Sequence, residues 1–519
     1  MEAQRCDRHV HGVGVLELFI TAATMGAIMQ CDPRRISKRV ITWVPACVFL
    51  MALAYSSGAS VAQVPKEGKG KLCQKETVFQ GKGSGVVTLV QGVLADSTVL
   101  WIRKEGGKVC LMKNALPGPP VTGIGDLAIS PQLDGFAYVV KSDKGVAVYR
   151  NDEQRGEFDD FQAYSLKFSD EGSAFAFVMK KADKWHVVVN NDVSPGYDDV
   201  DELSAPDKAG HIAYVATVGG KDALYIDHKK VREIEGFVSG LRLVDGIGTC
   251  AYSLSHVKGN ILAHDIYVGS KKVASFVEYI GTDLMPRVSP FAEVSGDGKH
   301  FAYCLRDNRP GKESSFVVDG EALPGMRPEP WALFMLGQSP IAFMKDNRHV
   351  MLRLSNGVTV WPGGMTVPFE SCYDPVEVPD GSSSVAYAAI SGKQREKLFM
   401  VVAGKAGPEY DSVLGPAFDS SGRNTFYLAR SGTSVHLIHE GAANLILQIP
   451  VKEVFASHHV DFPRGWFFYR NADSNEEGIV GAVLWPPVVN AKLGTLTLVV
   501  QCLKDSNLEL ARVVYHYLK

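Results

Sequence analysis

The sequence predicts an all-β fold, a single β-propeller of four-stranded blades, and three observations carry that prediction. Short apolar runs come in pairs: 175–179 and 185–189 are rich in Val and Phe and are separated by a polar turn. Such runs are too short for helices and suit the two arms of a hairpin. Neither run alternates between apolar and polar positions, which implies that protein covers both faces, as when sheets stack on one another. The unit also repeats. An apolar-Ala-aromatic triplet recurs as Phe136-Ala137-Tyr138, Phe175-Ala176-Phe177, Ile212-Ala213-Tyr214, Cys250-Ala251-Tyr252, Phe301-Ala302-Tyr303, Ile341-Ala342-Phe343 and Val385-Ala386-Tyr387, with looser copies ending in Trp101, Tyr427 and Tyr469. Consecutive copies lie about 40 residues apart, the length of chain that a four-stranded blade uses. The expectation is one ring of about eight blades, within a range of seven to ten, with a terminal copy degraded or shared in closure.

Residues 1–62 are expected to form a leader outside this fold. Arg34, Arg35, Lys38 and Arg39 make a basic start, 40–55 is apolar, and Ser60-Val61-Ala62 offers small residues for cleavage. That is the pattern of a signal peptide cut after Ala62, with Met29 its natural start. A second membrane segment at 13–29 is the competing reading, and Glu17 inside it counts against it. Ser37 stands where a twin-arginine signal wants an apolar residue, and the apolar run continues past Cys47, where a lipid-attachment motif would end it. The mature chain is thus expected in the periplasm or secreted, or membrane-anchored if the leader stays uncleaved.

Residues 63–84 read as a Gly- and Lys-rich tether, and the propeller is expected over 85–505. Its first strands are 85–94 and 99–102, followed by a hairpin turn at Glu105-Gly106-Gly107. Strands 85–94 and 493–502 are the candidates for closing the ring. At the end, Leu508, Leu510, Val513, Val514 and Tyr517 are spaced to suggest a short C-terminal helix over 506–519.

The turn ahead of each triplet carries a resemblance. Phe168-Ser169-Asp170-Glu171-Gly172, Val294-Ser295-Gly296-Asp297-Gly298, Pro379-Asp380-Gly381 and Phe418-Asp419-Ser420-Ser421-Gly422 resemble the F-S-P-D-G turn of bacterial TolB-like, WD40-like propeller repeats. Asp can bond the backbone two residues on and Gly tolerates positive φ, so both suit such a turn. The resemblance spans roughly 95–470 and implies the propeller fold; propellers host scaffolds, receptors and enzymes alike.

Composition narrows the partners. The formal net charge is −3 and there is no basic run in the repeats, which argues against nucleic acid. Cys73, Cys110, Cys250, Cys304, Cys372 and Cys502 remain after the leader, with no CxxC or zinc-type grouping. Cys250 and Cys304 are expected as buried free thiols, since their triplet positions differ and period-two alternation puts them on opposite faces.

No catalytic pattern appears: G-x-S-x-G, HExxH, Walker and dinucleotide-binding motifs are all missing. His458-His459 with Asp461 is the local His/Asp cluster, but adjacent strand residues point to opposite faces. Asp159-Asp160, Asp198-Asp199 with Asp201-Glu202, and Tyr410-Asp411 recur at one repeat position without the spacing of a calcium loop, and are expected as a structural corner. No cofactor or metal is expected. The two irregular stretches, 281–291 and 322–340, supply the candidate binding residues Met285, Arg287, Phe291, Met326, Arg327, Trp331 and Phe334, because propellers carry function on loops around the central channel. The competing reading places Trp331 and Phe334 on a strand packed between blades.

The expected function is a non-enzymatic, extracytoplasmic interaction or scaffold protein, a monomer without a membrane span after cleavage, whose loops bind another envelope or extracellular protein. A propeller enzyme or ligand sensor with its site at the central channel is one alternative, and an exported carbohydrate-binding or adhesion module is another.

Overall fold

The computed structural model describes residues 73–517 apart from 83–88, 143–144, 245–247, 260, 280–291, 306–313, 327–338, 355–356, 364–370, 392–396, 433, 449–452, 458–464, 471–480 and 505–506. The leader expected at 1–62 lies outside these residues. The described residues form ten antiparallel sheets, so the blade number sits at the top of the expected range instead of at eight. Most blades are hairpin-connected meanders of four strands in chain order. In chain order the first strands of blades 1 to 5 are Leu89–Val93, Gly123–Ile129, the interrupted pair Asp160–Phe161 and Lys167–Phe168, Asp199–Leu203 and Phe237–Val244. Those of blades 6 to 10 are Ala292–Val294, Ile341–Phe343, Ser371–Glu377, Ser412–Phe418 and Gly481–Asn490.

The triplet explains how blades stack. It lies on the second strand, where alternate residues face opposite ways. Its aromatic packs on the preceding blade and its alanine on the following one. Tyr214 joins Val178, Val187 and Val189 of blade 3, for example, while Ala213 joins Tyr252 and Leu254 of blade 5. Ala137, Ala176, Ala213, Ala302 and Ala386 are fully buried, as a close approach of neighbouring sheets requires.

The same rule corrects two triplets. Ile341-Ala342-Phe343 lies on the first strand of blade 7, and the true copy is Val350-Met351-Leu352: Leu352 packs toward blade 6 and Met351 toward blade 8. Tyr469 belongs to Gly465–Arg470, an added strand that pairs with the first half of Gly481–Asn490. The tenth copy is Leu496-Thr497-Leu498, with both leucines packed on blade 9 and Thr497 Oγ1 3.3 Å from Ser97 Oγ of blade 1. Spacing alone could not detect the displacement, because the chance triplets fell near the expected period.

The ring closes through the two ends of the chain. Cys73–Lys82, expected as tether, is a strand, and it pairs along its whole length with Asn507–His516, expected as helix. The helical spacing of the C-terminal apolar residues is also compatible with period two. Ala511, Val513, Tyr515 and Tyr517 are buried in alternation, and the supply of an edge partner decides for strand. The expected closing pair of 85–94 with 493–502 is therefore replaced by this outer pairing. Blade 10 then packs on blade 1, where Val488, Val499 and Leu510 meet Val90, Val99 and Trp101, and Arg512 Nη1 donates to Ser97 O at 2.8 Å.

Turns are fixed by side chains. The motif serine is buried and accepts a backbone N–H across the turn: Ala174 N–H to Ser169 Oγ at 3.1 Å and His300 N–H to Ser295 Oγ at 2.9 Å. A second device was not recognised from sequence. Asn114, Asn151, Asn190, Asp227 and Asp319 follow the third strand with φ near +50°, and each accepts the N–H that opens the second strand, as in Phe175 N–H to Asn190 Oδ1 at 3.1 Å. Asn and Asp tolerate this left-handed conformation better than other side chains. Cys250 and Cys304 are both buried, as expected, and Cys110 is half-buried.

Candidate functional site

Of the seven candidate loop residues, Met326 is described: it is half-buried and packs against the core between blades 6 and 7. Met285, Arg287, Phe291, Arg327, Trp331 and Phe334 lie outside the described residues, as do His458, His459 and Asp461. The structure therefore neither gathers the loop candidates into a surface nor separates them.

A different constellation emerges from the first strands. They are innermost, because the first strands of successive blades touch one another, whereas fourth strands pair at the outer edge. Nearly every first strand carries a bulge against its second strand: between Val90 and Gly92, Ile124 and Leu127, Val200 and Glu202, Ser239 and Arg242, Tyr373 and Val376, Leu414 and Ala417, and Leu484 and Val488. Bulges re-aim side chains and commonly sit beside functional sites. The widest is in blade 3, where the path from Phe161 to Lys167 is matched on the second strand only by Met179 to Ala176. Within it, Gln162 N–H donates to Val178 O at 3.0 Å and Val178 N–H donates to Ser165 Oγ at 3.0 Å.

Charges of alternating sign ride on these inner strands. Asp126, Lys167, Glu202, Arg242 and Glu293 stand on blades 2 to 6 in that order, all half-buried. Burial pushes the Asp126 carboxyl up to about 6, against the Tyr164 amide and Lys141 that favour its charge. Burial lowers the Lys167 ammonium, which Glu202 opposes, and raises Glu293, which Arg242 opposes. Cross-blade bonds accompany them: Tyr164 N–H to an Asp126 oxygen, Lys167 Nζ to Leu203 O, and Gln162 Nε2 to Val200 O at 3.0 Å.

Other reactive-looking groups are consumed by structure. Asp346, His349 and Ser383 form a Ser/His/Asp group, but the Asp346 carboxylate and Ser383 Oγ both approach His349 Nδ1, at 2.5 and 3.2 Å. A nucleophile and an orienting carboxylate must engage different ring nitrogens, so this group links the turns of blades 7 and 8. The acidic corner is structural, as expected: Asp411 accepts from Lys397 Nζ at 2.6 Å and from Gly432 N–H at 2.6 Å, and Asp198 plays the same part with Lys184 and Gly219. Among the described residues no group of three or more His, Cys, Asp or Glu side chains could hold a metal ion, and no helix is long and apolar enough to cross a membrane.

No family model matches the chain, and no curated protein matches it. Solved structures similar to it include the dihydro-heme d1 dehydrogenase NirN, at 14% identity over 76% of this chain and 78% of that one with a TM-score of 0.29. The β-propeller domain of the Trilobed protease from Pyrococcus furiosus matches at 10% identity over 71% and 99%, TM-score 0.30. A putative TolB from Agrobacterium tumefaciens matches at 9% identity over 37% and 82%, TM-score 0.23. At such identities likeness concerns the fold alone.

Proposed function

We propose that the chain is a non-enzymatic interaction protein acting outside the cytoplasm, a rigid ring whose loops bind another envelope or extracellular protein. The observation that carries this reading is the row of half-buried ionisable groups of alternating sign along the inner strands, in which Glu202 favours the charge of Lys167 and Arg242 that of Glu293 on the neighbouring blade. Neighbouring charges that offset one another are poorly placed to converge on a substrate. The slightly acidic balance, −3 over the chain, keeps nucleic acid out of the reading, and the loops at 281–291 and 322–340 remain the docking surface.

Affinity capture from envelope extracts with the mature chain as bait tests it, beside a hydrolase screen of the same preparation. The expected result is one enriched partner that is lost with the combined change Arg287→Ala, Trp331→Ala and Phe334→Ala, and no turnover. Hydrolysis that survives purification, with no protein retained, would overturn the reading.

A further inference from the structure

The junction between blades 3 and 4 holds a hydrogen-bonded chain that packing alone does not require. Tyr214, on the second strand of blade 4, stacks on Tyr225 of the third, with ring centroids 5.3 Å and planes 6° apart. The same cross-strand pair recurs as Tyr138 with Tyr149 in blade 2 and Tyr252 with Tyr267 in blade 5. The hydroxyl partners differ. Tyr149 donates to Gln154 Oε1, and Tyr252 accepts from Arg232. Tyr214 Oη instead lies 2.9 Å from His228 Nδ1 and 2.7 Å from Tyr197 Oη, and His228 Nε2 lies 3.3 Å from a carboxylate oxygen of Asp192 on blade 3. A carboxylate only accepts, so the imidazole proton sits on Nε2, Nδ1 accepts from Tyr214, and Tyr214 accepts from Tyr197. His228 is held there at a conformational cost. Its φ is +64°, and the same turn position is taken by Gly320, Gly404 and Gly441 in blades 6, 8 and 9.

We propose that Tyr214 is a reversible one-electron redox site, with His228 as the base that takes and returns its phenolic proton. Oxidation moves one electron from the Tyr214 ring to a one-electron oxidant of the class of a ferryl haem or a peroxide-derived radical. The Oη–H bond breaks, an N–H bond forms on His228 Nδ1, and the products are a neutral phenoxyl radical, an imidazolium and the reduced oxidant. An electron returned by a thiol- or ascorbate-class reductant sends the proton back and restores the phenol. Moving the proton with the electron avoids a cation on a ring that is fully buried. The positive charge appears instead on half-buried His228, beside the Asp192 carboxylate that offsets it, while the Tyr197 hydroxyl still donates to the phenoxyl oxygen. Burial also keeps the radical from coupling to another ring. Tyr225, stacked on Tyr214 and 8% exposed, carries the electron outward. This inference is independent of the proposed function.

Flash oxidation of the purified chain with tris(bipyridine)ruthenium and persulfate, followed by electron paramagnetic resonance, tests the site. Exposed tyrosines such as Tyr164 are oxidised too, but their radicals decay quickly by coupling, so persistence is the readout. The natural chain should keep a neutral tyrosyl signal at least about tenfold longer than His228→Asn, which tolerates the same left-handed turn and removes the base. Tyr214→Phe, which keeps the stack, should abolish the persistent signal. The absence of a persistent signal in the natural chain, or one that survives unchanged in His228→Asn or in Tyr214→Phe, would overturn the proposal. Should Tyr214→Phe fail to fold, the comparison of the natural chain with His228→Asn decides.

Discussion

At the scale of single residues, the smallest side chain of the repeat carries the sharpest packing constraint. Ala213 is fully buried between blades 4 and 5, so Ala213→Leu should overpack the junction and lower stability by about 1 to 3 kcal/mol, measured by chemical denaturation. The alanine and its flanking aromatics were legible in the sequence because they recur. The left-handed Asn and Asp positions were equally present but unread, since Asn114, Asn190 and Asp319 sit in turns whose other residues vary. The acidic corner was placed correctly, yet its chemistry needed coordinates. Burial pushes the Asp411 carboxyl up, but Lys397, the Gly432 amide and Arg430 outweigh it and hold it below the ordinary range. A folded-state pKa below the unfolded one contributes stability that is complete above about pH 4 and disappears as pH falls through the folded value. Asp411→Ala should therefore cost about 1 to 2 kcal/mol at pH 7, with the difference from the natural chain shrinking below pH 4 in an acid titration followed by circular dichroism.

At the scale of elements, what was legible was the hairpin and what was not was the identity of each strand within its blade. The chance triplet Ile341-Ala342-Phe343 satisfied period and composition, and only the packing of Leu352 toward blade 6 and of half-buried Met351 toward blade 8 shows which strand is second. The bulges of the inner strands left no sequence signal beyond scattered Gly and Pro, for example Gly415-Pro416 and Pro486-Pro487, because a bulge is a mismatch between two strands and not a property of either. For that reason the candidate site was sought in the loops at 281–291 and 322–340, while the residues that the structure brings together are Asp126, Gln162, Tyr164 and Lys167 on the inner rim.

At the scale of the whole molecule, repetition made the fold class readable and the ends of the chain made the blade count misleading. A terminal strand has no intact repeat around it, so Cys73–Lys82 looked like a tether and Asn507–His516 like a helix, although together they finish blade 10. Joining the first strand to the last removes two free edges and ties every blade into a closed cycle, which is how a ring of weakly repeated units becomes one cooperative body. That closure is tested most directly by a cysteine pair at Gln80 and Glu509, which are opposite one another in the terminal pairing. In the variant Gln80→Cys with Glu509→Cys, mild oxidation of the folded monomer should link the two positions within one chain, and peptide mapping should recover residues 80 and 509 in a single disulfide-linked fragment. Free thiols at both positions, or a bond formed only between two chains, would contradict a ring closed by its own termini.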